Sequence, residues 1–218
     1  MTNSFYFVTL FRKLVTMSKV QKNIEHSLSI KKKGNLIFPS DFRGLGTETA
    51  IKKALSRLVQ KGMIKRVAHG IYYKPKIDPV LGELHPGAEE VAMMLAKKEK
   101  IRIRPAGAYA LNKLGLSTQV PTRLVYKTDG SPRQLRIGKL EIKFKATSHK
   151  KLATIGKVSA LVIQALEELD MSHIDQNTAA RIKKLLLVED PKKLKHDLAL
   201  APVRVHDYIV KLLNDKEV

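Results

Sequence analysis

The stretch TETAIKKALSRLVQKGMIKRVAHGIYYKP, residues 47–75, admits few folds. Its apolar residues come in pairs: Ala50 and Ile51, Ala54 and Leu55, Leu58 and Val59. At 100° per residue these fill one broad face of a helix spanning 48–61, which can be stable only if that face is buried. Thr47 is placed to cap the helix and Gly62 to end it in a left-handed conformation. MIKRVA and IYYKP follow, β-branched and aromatic enough for strands, and His69-Gly70 between them fits a two-residue hairpin with a positive φ at Gly70.

Upstream, residues 18–33 read as a helix with Val20, Ile24, Leu28 and Ile30 on one side. Residues 35–38, NLIF, form a short apolar strand or connector, and Pro39-Ser40-Asp41 starts a brief helix with Ser40 as its cap. Helix, short helix, helix, basic hairpin is the order of a winged helix-turn-helix. On the third helix, Thr49, Lys53, Ser56 and Gln60 lie opposite the apolar face, flanked by Lys52 and Arg57. Those residue types read base edges and grip phosphates, so this face is the candidate recognition surface, with Lys65, Arg66, His69 and Lys74 projecting from the hairpin. Charge points the same way. The chain has 41 Lys+Arg against 20 Asp+Glu, a net +21, and residues 1–76 alone hold 16 basic and 3 acidic residues, a net +13. A basic excess concentrated in one third of a chain suits a partner made of phosphates.

The segments FPSDFRGLGTETAIKKALSRLVQKGMIKRVAHGIYYKP and RIRPAGAYALNKLGLSTQVPTRLVYKTDG resemble the AbiEi family of antitoxins from type IV, abortive-infection toxin–antitoxin systems. The resemblance covers most of residues 18–170, and its second segment is the more specific. It implies an amino-terminal winged helix that binds inverted repeats in double-stranded DNA of its own promoter and represses it. It also implies a carboxy-terminal domain that counteracts a nucleotidyltransferase toxin encoded beside it. On matching positions the DNA-binding role would fall to Thr49, Lys52, Lys53, Ser56, Arg57 and Gln60, with Lys65, Arg66 and His69 in the wing.

The expected organisation is α+β: a winged helix-turn-helix at 18–75, a linker at 76–87, and a small mixed α+β domain at 88–218 ending in helices. KIDPVLGELHPG, with Pro, Gly and no period, supplies the linker. A helix at 88–98 precedes KIRIRPAG, whose Ile/Arg alternation predicts a strand with one basic face. A short helix over 106–114 closes at Gly115. TRLVYKT, RQLRIG and LEIKFKA make three further strands, joined through Asp129-Gly130-Ser131-Pro132 and Gly138-Lys139, and helices follow at 153–170, 177–188, 191–200 and 202–214. Arg102, Arg104, Arg123, Lys127, Arg133, Arg136, Lys143 and Lys145 form a second basic surface suited to nucleic acid or to an RNA-directed target of the toxin, unless the lysines only block edge pairing.

Enzymatic readings are weaker. Asp129 with Glu141-Ile142-Lys143 has the acidic–ExK pattern of a magnesium-dependent nuclease, with Glu141 and Lys143 on one strand face. The seven histidines are scattered, no loop is built to cradle a nucleotide phosphate, and with no cysteine there is no thiolate metal site. The expectation is a binding protein without cofactor or metal, DNA-binding first, a basic RNA-binding protein second and a nuclease last. No apolar run spans a bilayer, and a cytoplasmic location is expected. SFYFVTLFRKLV (4–15) is too short to span and has its cations on the far side for a signal peptide, so Met17 is the expected start, or residues 1–16 an extension.

Overall fold

The computed structural model describes residues 19–171 and 174–215. The expectation about residues 1–16 and the start at Met17 lies outside them. The chain is mixed α+β, with eight α-helices and three small sheets among the described residues. It divides into two compact units, the first closing at Gly87 and the second opening at Ala88. No helix among the described residues is long and apolar enough to cross a membrane.

In unit 1, α1 (Lys19–Ile30) buries Ile24 and Leu28, and α2 (Glu48–Gln60) buries Ile51, Ala54, Leu55 and Leu58. With Ile37, Phe42, Ile64 and Tyr72 these form one core. Thr47 caps α2, its hydroxyl accepting from the Ala50 N–H at 3.3 Å, and Gly62 follows at φ +71°. β1 (Leu36–Ile37), β2 (Lys65–Ala68) and β3 (Ile71–Tyr73) make an antiparallel sheet in the order β1-β3-β2. The β2–β3 turn is His69-Gly70, with Gly70 at φ +69°.

Three local expectations for this unit change. α1 ends at Ile30, which is 75% exposed, because Lys31–Lys33 turn away instead of adding another helical step. The short helix is a 3₁₀ turn (Pro39–Phe42), and its cap is Asp41 rather than Ser40: the Asp41 carboxylate accepts from the Phe38 N–H at 3.1 Å. Residues 76–87, read as a linker, contain a second hairpin, β4 (Lys76–Asp78) and β5 (Gly82–Leu84). Its tight turn forms because the Asp78 carboxylate accepts from the Val80 and Leu81 amides at 2.9 and 3.0 Å.

Unit 2 opens with α3 (Ala88–Glu99). Its sheet contains β6 (Ile103–Pro105), β7 (Arg123–Thr128), β8 (Arg133–Ile137) and β9 (Leu140–Ala146), in the order β6-β7-β9-β8. α4 (Ala108–Lys113) lies between β6 and β7 in sequence. β7 and β9 run parallel and the other two pairings are antiparallel. Leu124, Tyr126, Ile142 and Phe144 fill the core side, where Tyr126 stacks on Phe144 at 5.8 Å and meets Tyr109 of α4 edge-on at 5.4 Å.

The Asp129–Pro132 segment is therefore not a hairpin turn, since β9 separates β7 from β8. The Asp129 carboxylate instead accepts from the Arg102 backbone N–H at 2.7 Å and from its guanidinium at 2.9 Å. Arg102 holds the Asp129 carboxyl below the usual aspartate range. A Cβ on Gly130 would lie 2.9 Å from Ile101, so close approach and not a left-handed φ demands that glycine.

Four helices complete unit 2: α5 (Lys157–Glu168), α6 (Gln176–Leu187), α7 (Pro191–Leu198) and α8 (Val203–Asn214). They share a core of Val162, Ile163, Leu166, Ile182, Leu186, Val205 and Ile209. The amino end of α5 meets two carboxylates. Asp197, fully buried, accepts from the Ile155 and Gly156 amides and the Ser159 hydroxyl at 2.8, 2.9 and 2.7 Å, while Glu189 accepts from the Val158 and Ser159 amides at 2.7 and 3.2 Å. Anions at a helix amino terminus satisfy its orphan donors and complement its dipole. The start at Lys157 rather than 153 follows from these contacts.

Burial pushes the Asp197 carboxyl up, but His196, Ser159 and the two amides outweigh it and leave it below the usual aspartate range. Its contribution to stability is thus complete above the ordinary value of about 4 and is lost as pH falls through the lowered folded-state value. Asp197→Asn is expected to destabilise unit 2 at neutral pH by about 2 kcal/mol. Urea unfolding at a series of pH values should show that deficit shrinking in acid.

Candidate nucleic-acid interface

The outward side of α2 follows from what its inward side buries. With Ile51, Ala54, Leu55 and Leu58 locked in the core, Thr49, Lys52, Lys53, Ser56, Arg57 and Gln60 are all exposed on one rigid helix. Lys53 and Arg57 stand one turn apart, and neither has an ion pair among the described residues. Lys52 differs: Glu48, one turn earlier, pairs with it at 2.5 Å, and this contact holds the Glu48 carboxyl below its usual range. The face is acid-free only beyond the first turn. Arg43, which the sequence reading passed over, is exposed at the turn entering α2 and acts electrostatically on Glu48. At the other end, Lys61 pairs with Glu25 of α1 at 3.2 Å.

The β2–β3 hairpin carries fewer available cations than its sequence suggests. Arg66 and His69 stay exposed and together, with the guanidinium 2.9 Å from His69 Nδ1 and also donating to the Ala68 carbonyl at 3.3 Å. Lys65 is tied to Glu83 of β5. The same carboxylate accepts from the Tyr73 hydroxyl at 2.5 Å, with His85 Nδ1 2.7 Å from that oxygen. Burial and Glu83 push the Tyr73 hydroxyl upward, so it remains a donor.

Lys74 does not project from the hairpin. Its ammonium donates to the carbonyls of Leu28, Ser29 and Lys31 at 2.8, 3.1 and 2.8 Å. It closes the carboxy end of α1, where a cation also meets the negative end of the dipole.

In unit 2 the eight proposed basic residues separate. Side chains alternate along a strand, so Arg133 and Arg136, three apart, cannot share a face. Arg133 lies opposite Phe144 on the core side, with its guanidinium 5.1 Å from that ring and paired with Glu99 at 2.6 Å. Arg102 is held by Asp129 at 2.9 Å and Arg104 by the Thr154 carbonyl at 2.8 Å. Arg123 pairs with Glu141 at 2.5 Å and Lys127 with Glu167 at 3.2 Å. Arg136, Lys143 and Lys145 have no ion pair among the described residues.

The nuclease constellation is not assembled. In the parallel β7–β9 register Glu141 sits opposite Arg123, at the start of β7, whereas Asp129 follows Thr128 at its end. Six residue steps along a strand separate them by about 20 Å, too far to share one metal ion. Among the described residues no group of three His, Asp or Glu could hold a metal.

The molecule is thus a mixed α+β protein that carries cations without an ion pair among the described residues on one helix and one hairpin of unit 1 and on one sheet face of unit 2. Residues 23–194 match the family of unknown function DUF6088, and the chain belongs to that family. No curated protein matches it.

The Lys74 clamp gives a stability test. Replacing Lys74 with Met keeps the apolar stem but strips three carbonyls of their donor, and is expected to destabilise unit 1 by about 2 kcal/mol. Chemical unfolding, or faster amide exchange in the last turn of α1, would register the loss.

Proposed function

We propose that this protein binds double-stranded DNA in a sequence-specific manner and represses its own promoter, with unit 1 acting as a winged helix-turn-helix. The carrying observation is the exposed α2 face, where Lys53, Ser56, Arg57 and Gln60 stand on a helix whose opposite side is locked into the core. A recognition helix needs that combination: the major groove admits an α-helix, and Arg, Lys, Gln and Ser contact base edges only when the backbone holds them in register. The Arg66–His69 pair at the His69-Gly70 turn fits a wing that contacts the phosphate backbone beside the groove. Lys52 and Lys65, both neutralised within unit 1, have secondary roles in this reading.

The resemblance to AbiEi antitoxins extends the proposal. Unit 2 serves as the antitoxin portion of a type IV system and opposes a nucleotidyltransferase toxin. What supports this half is the sequence segment RIRPAGAYALNKLGLSTQVPTRLVYKTDG, which spans β6, α4 and β7.

Lys53→Ala and Arg57→Ala should each weaken binding to the promoter duplex by about 1–3 kcal/mol, measured by fluorescence anisotropy at fixed salt. Unchanged affinity in both variants would remove α2 from the interface. The antitoxin half is read in growth. Co-expression with the nucleotidyltransferase of the neighbouring reading frame should restore growth that the toxin alone arrests, and continued arrest counts against it.

A further inference from the structure

The strand register of unit 2 arranges its outer face in cross-strand rows. The first is Arg123–Glu141–Arg136, the next Val125–Lys143–Gln134, and the third brings Lys127 beside Lys145. Two cations in these rows are already neutralised, Arg123 by Glu141 and Lys127 by Glu167. Lys143, Lys145 and Arg136 are not. Lys139, exposed at the β8–β9 turn, lines the same shallow cleft as Arg136, Gln134 and the Arg123-paired Glu141.

Protection of a sheet edge does not account for Lys143 and Lys145. Edge strands carry lysines to discourage pairing with other chains. Lys143 and Lys145 lie on β9, however, which is paired on both sides, by β7 and by β8. A cation on an interior strand guards no edge. The one carboxylate on their strand face, Glu141, is already paired with Arg123 and lies between it and Arg136, so Lys143 and Lys145 repel each other along the strand and an external anion relieves that repulsion.

We propose that this face binds the phosphodiester backbone of an unpaired polynucleotide strand. Lys143 and Lys145 are about 7 Å apart along β9, and Arg136 lies on the adjoining strand about 5 Å from Glu141, diagonal to Lys143. The cations thus form a track one strand wide, whereas a duplex major groove separates its phosphate rows by about 12 Å. The outer positions of β7, β8 and β9 include no aromatic residue, so bases have no stacking platform and the contact is to phosphates, independent of sequence. This site is separate from the α2 face, and neither reading depends on the other.

The full-length protein is titrated with labelled oligouridylate and oligothymidylate across a range of salt. The wild type is expected to bind both, tighter binding of one identifying the strand as RNA or DNA. Arg136→Gln/Lys143→Gln/Lys145→Gln should weaken binding at least about tenfold and lower the log–log salt slope by about 2, near 0.7 per lost phosphate contact. Lys145→Glu, a single change at an exposed side chain, should act in the same direction if the triple variant folds poorly. Lys53→Ala/Arg57→Ala should leave single-strand binding intact while weakening the promoter duplex, which separates the two sites. The proposal is overturned if the wild type binds neither oligonucleotide, or if Lys145→Glu and the triple variant keep wild-type affinity and slope. Displacement by polyglutamate as effective as by oligonucleotide would also overturn it, since the face would then suit an acidic polypeptide.

Discussion

Burial of the α2 stripe is the constraint on which the rest of unit 1 depends. Ile51, Ala54, Leu55 and Leu58 are removed from water against Ile24 and Leu28 of α1, Phe42, Ile64 and Tyr72. Fully burying each large aliphatic side chain is worth about 2 kcal/mol, and no surface ion pair in the unit approaches that value. Because the stripe is broad, it fixes the rotation of α2 about its own axis. The direction in which Lys53, Arg57 and Gln60 point is therefore a consequence of apolar packing, and their own charges have little part in setting it.

A second layer of polar contacts makes that packing specific. Lys74 seals the carboxy end of α1, Lys61 joins α2 to α1 through Glu25, and Glu83 draws Lys65 and Tyr73 together over one face of the three-stranded sheet. The same logic governs unit 2, where two carboxylates with no buried cation occupy the amino end of α5. A Cβ on Gly156 would lie 2.7 Å from Glu189 and 2.9 Å from Asp197, so the backbone must be bare at that position for both carboxylates to reach the amides.

These cases mark how far the sequence was legible. α2, its Thr47 cap and the Gly70 turn could be read directly, because periodicity, capping and positive φ are local properties. The exposure of Thr49, Lys53, Ser56 and Gln60 could be read for the same reason, since helix geometry decides which residues oppose an apolar stripe. What escaped depended on partners distant in sequence. Lys74 resembles Arg66 in composition, yet it is committed to carbonyls more than forty positions away. Asp129-Gly130 looks like a hairpin turn because Asp-Gly is a favoured hairpin dipeptide; the amide of Arg102 and the side chain of Ile101 are what require it here. The β4–β5 hairpin is poorly patterned in sequence because its strands are three residues long, too short for alternation to appear. Arg133 is a different kind of error, since strand parity alone places it opposite Arg136.

Counting cations in a sequence overstates the surface available to a polyanion, and the two units do so to different degrees. On the α2 face and the β2–β3 hairpin of unit 1, Glu48 and Glu83 neutralise Lys52 and Lys65, leaving Lys53, Arg57 and the Arg66–His69 pair. In unit 2 five of the eight arginines and lysines first grouped together are held by Asp129, Glu141, Glu167, Glu99 or a carbonyl. An exposed ion pair contributes little to stability, but it removes a charge from the field a phosphate meets. Counterion release scales with phosphates neutralised, so residues already paired within the protein contribute least to it. On these faces the charge left for a polyanion thus rests on a small set of uncommitted side chains, most of them held on a helix or strand that its own apolar face fixes in place.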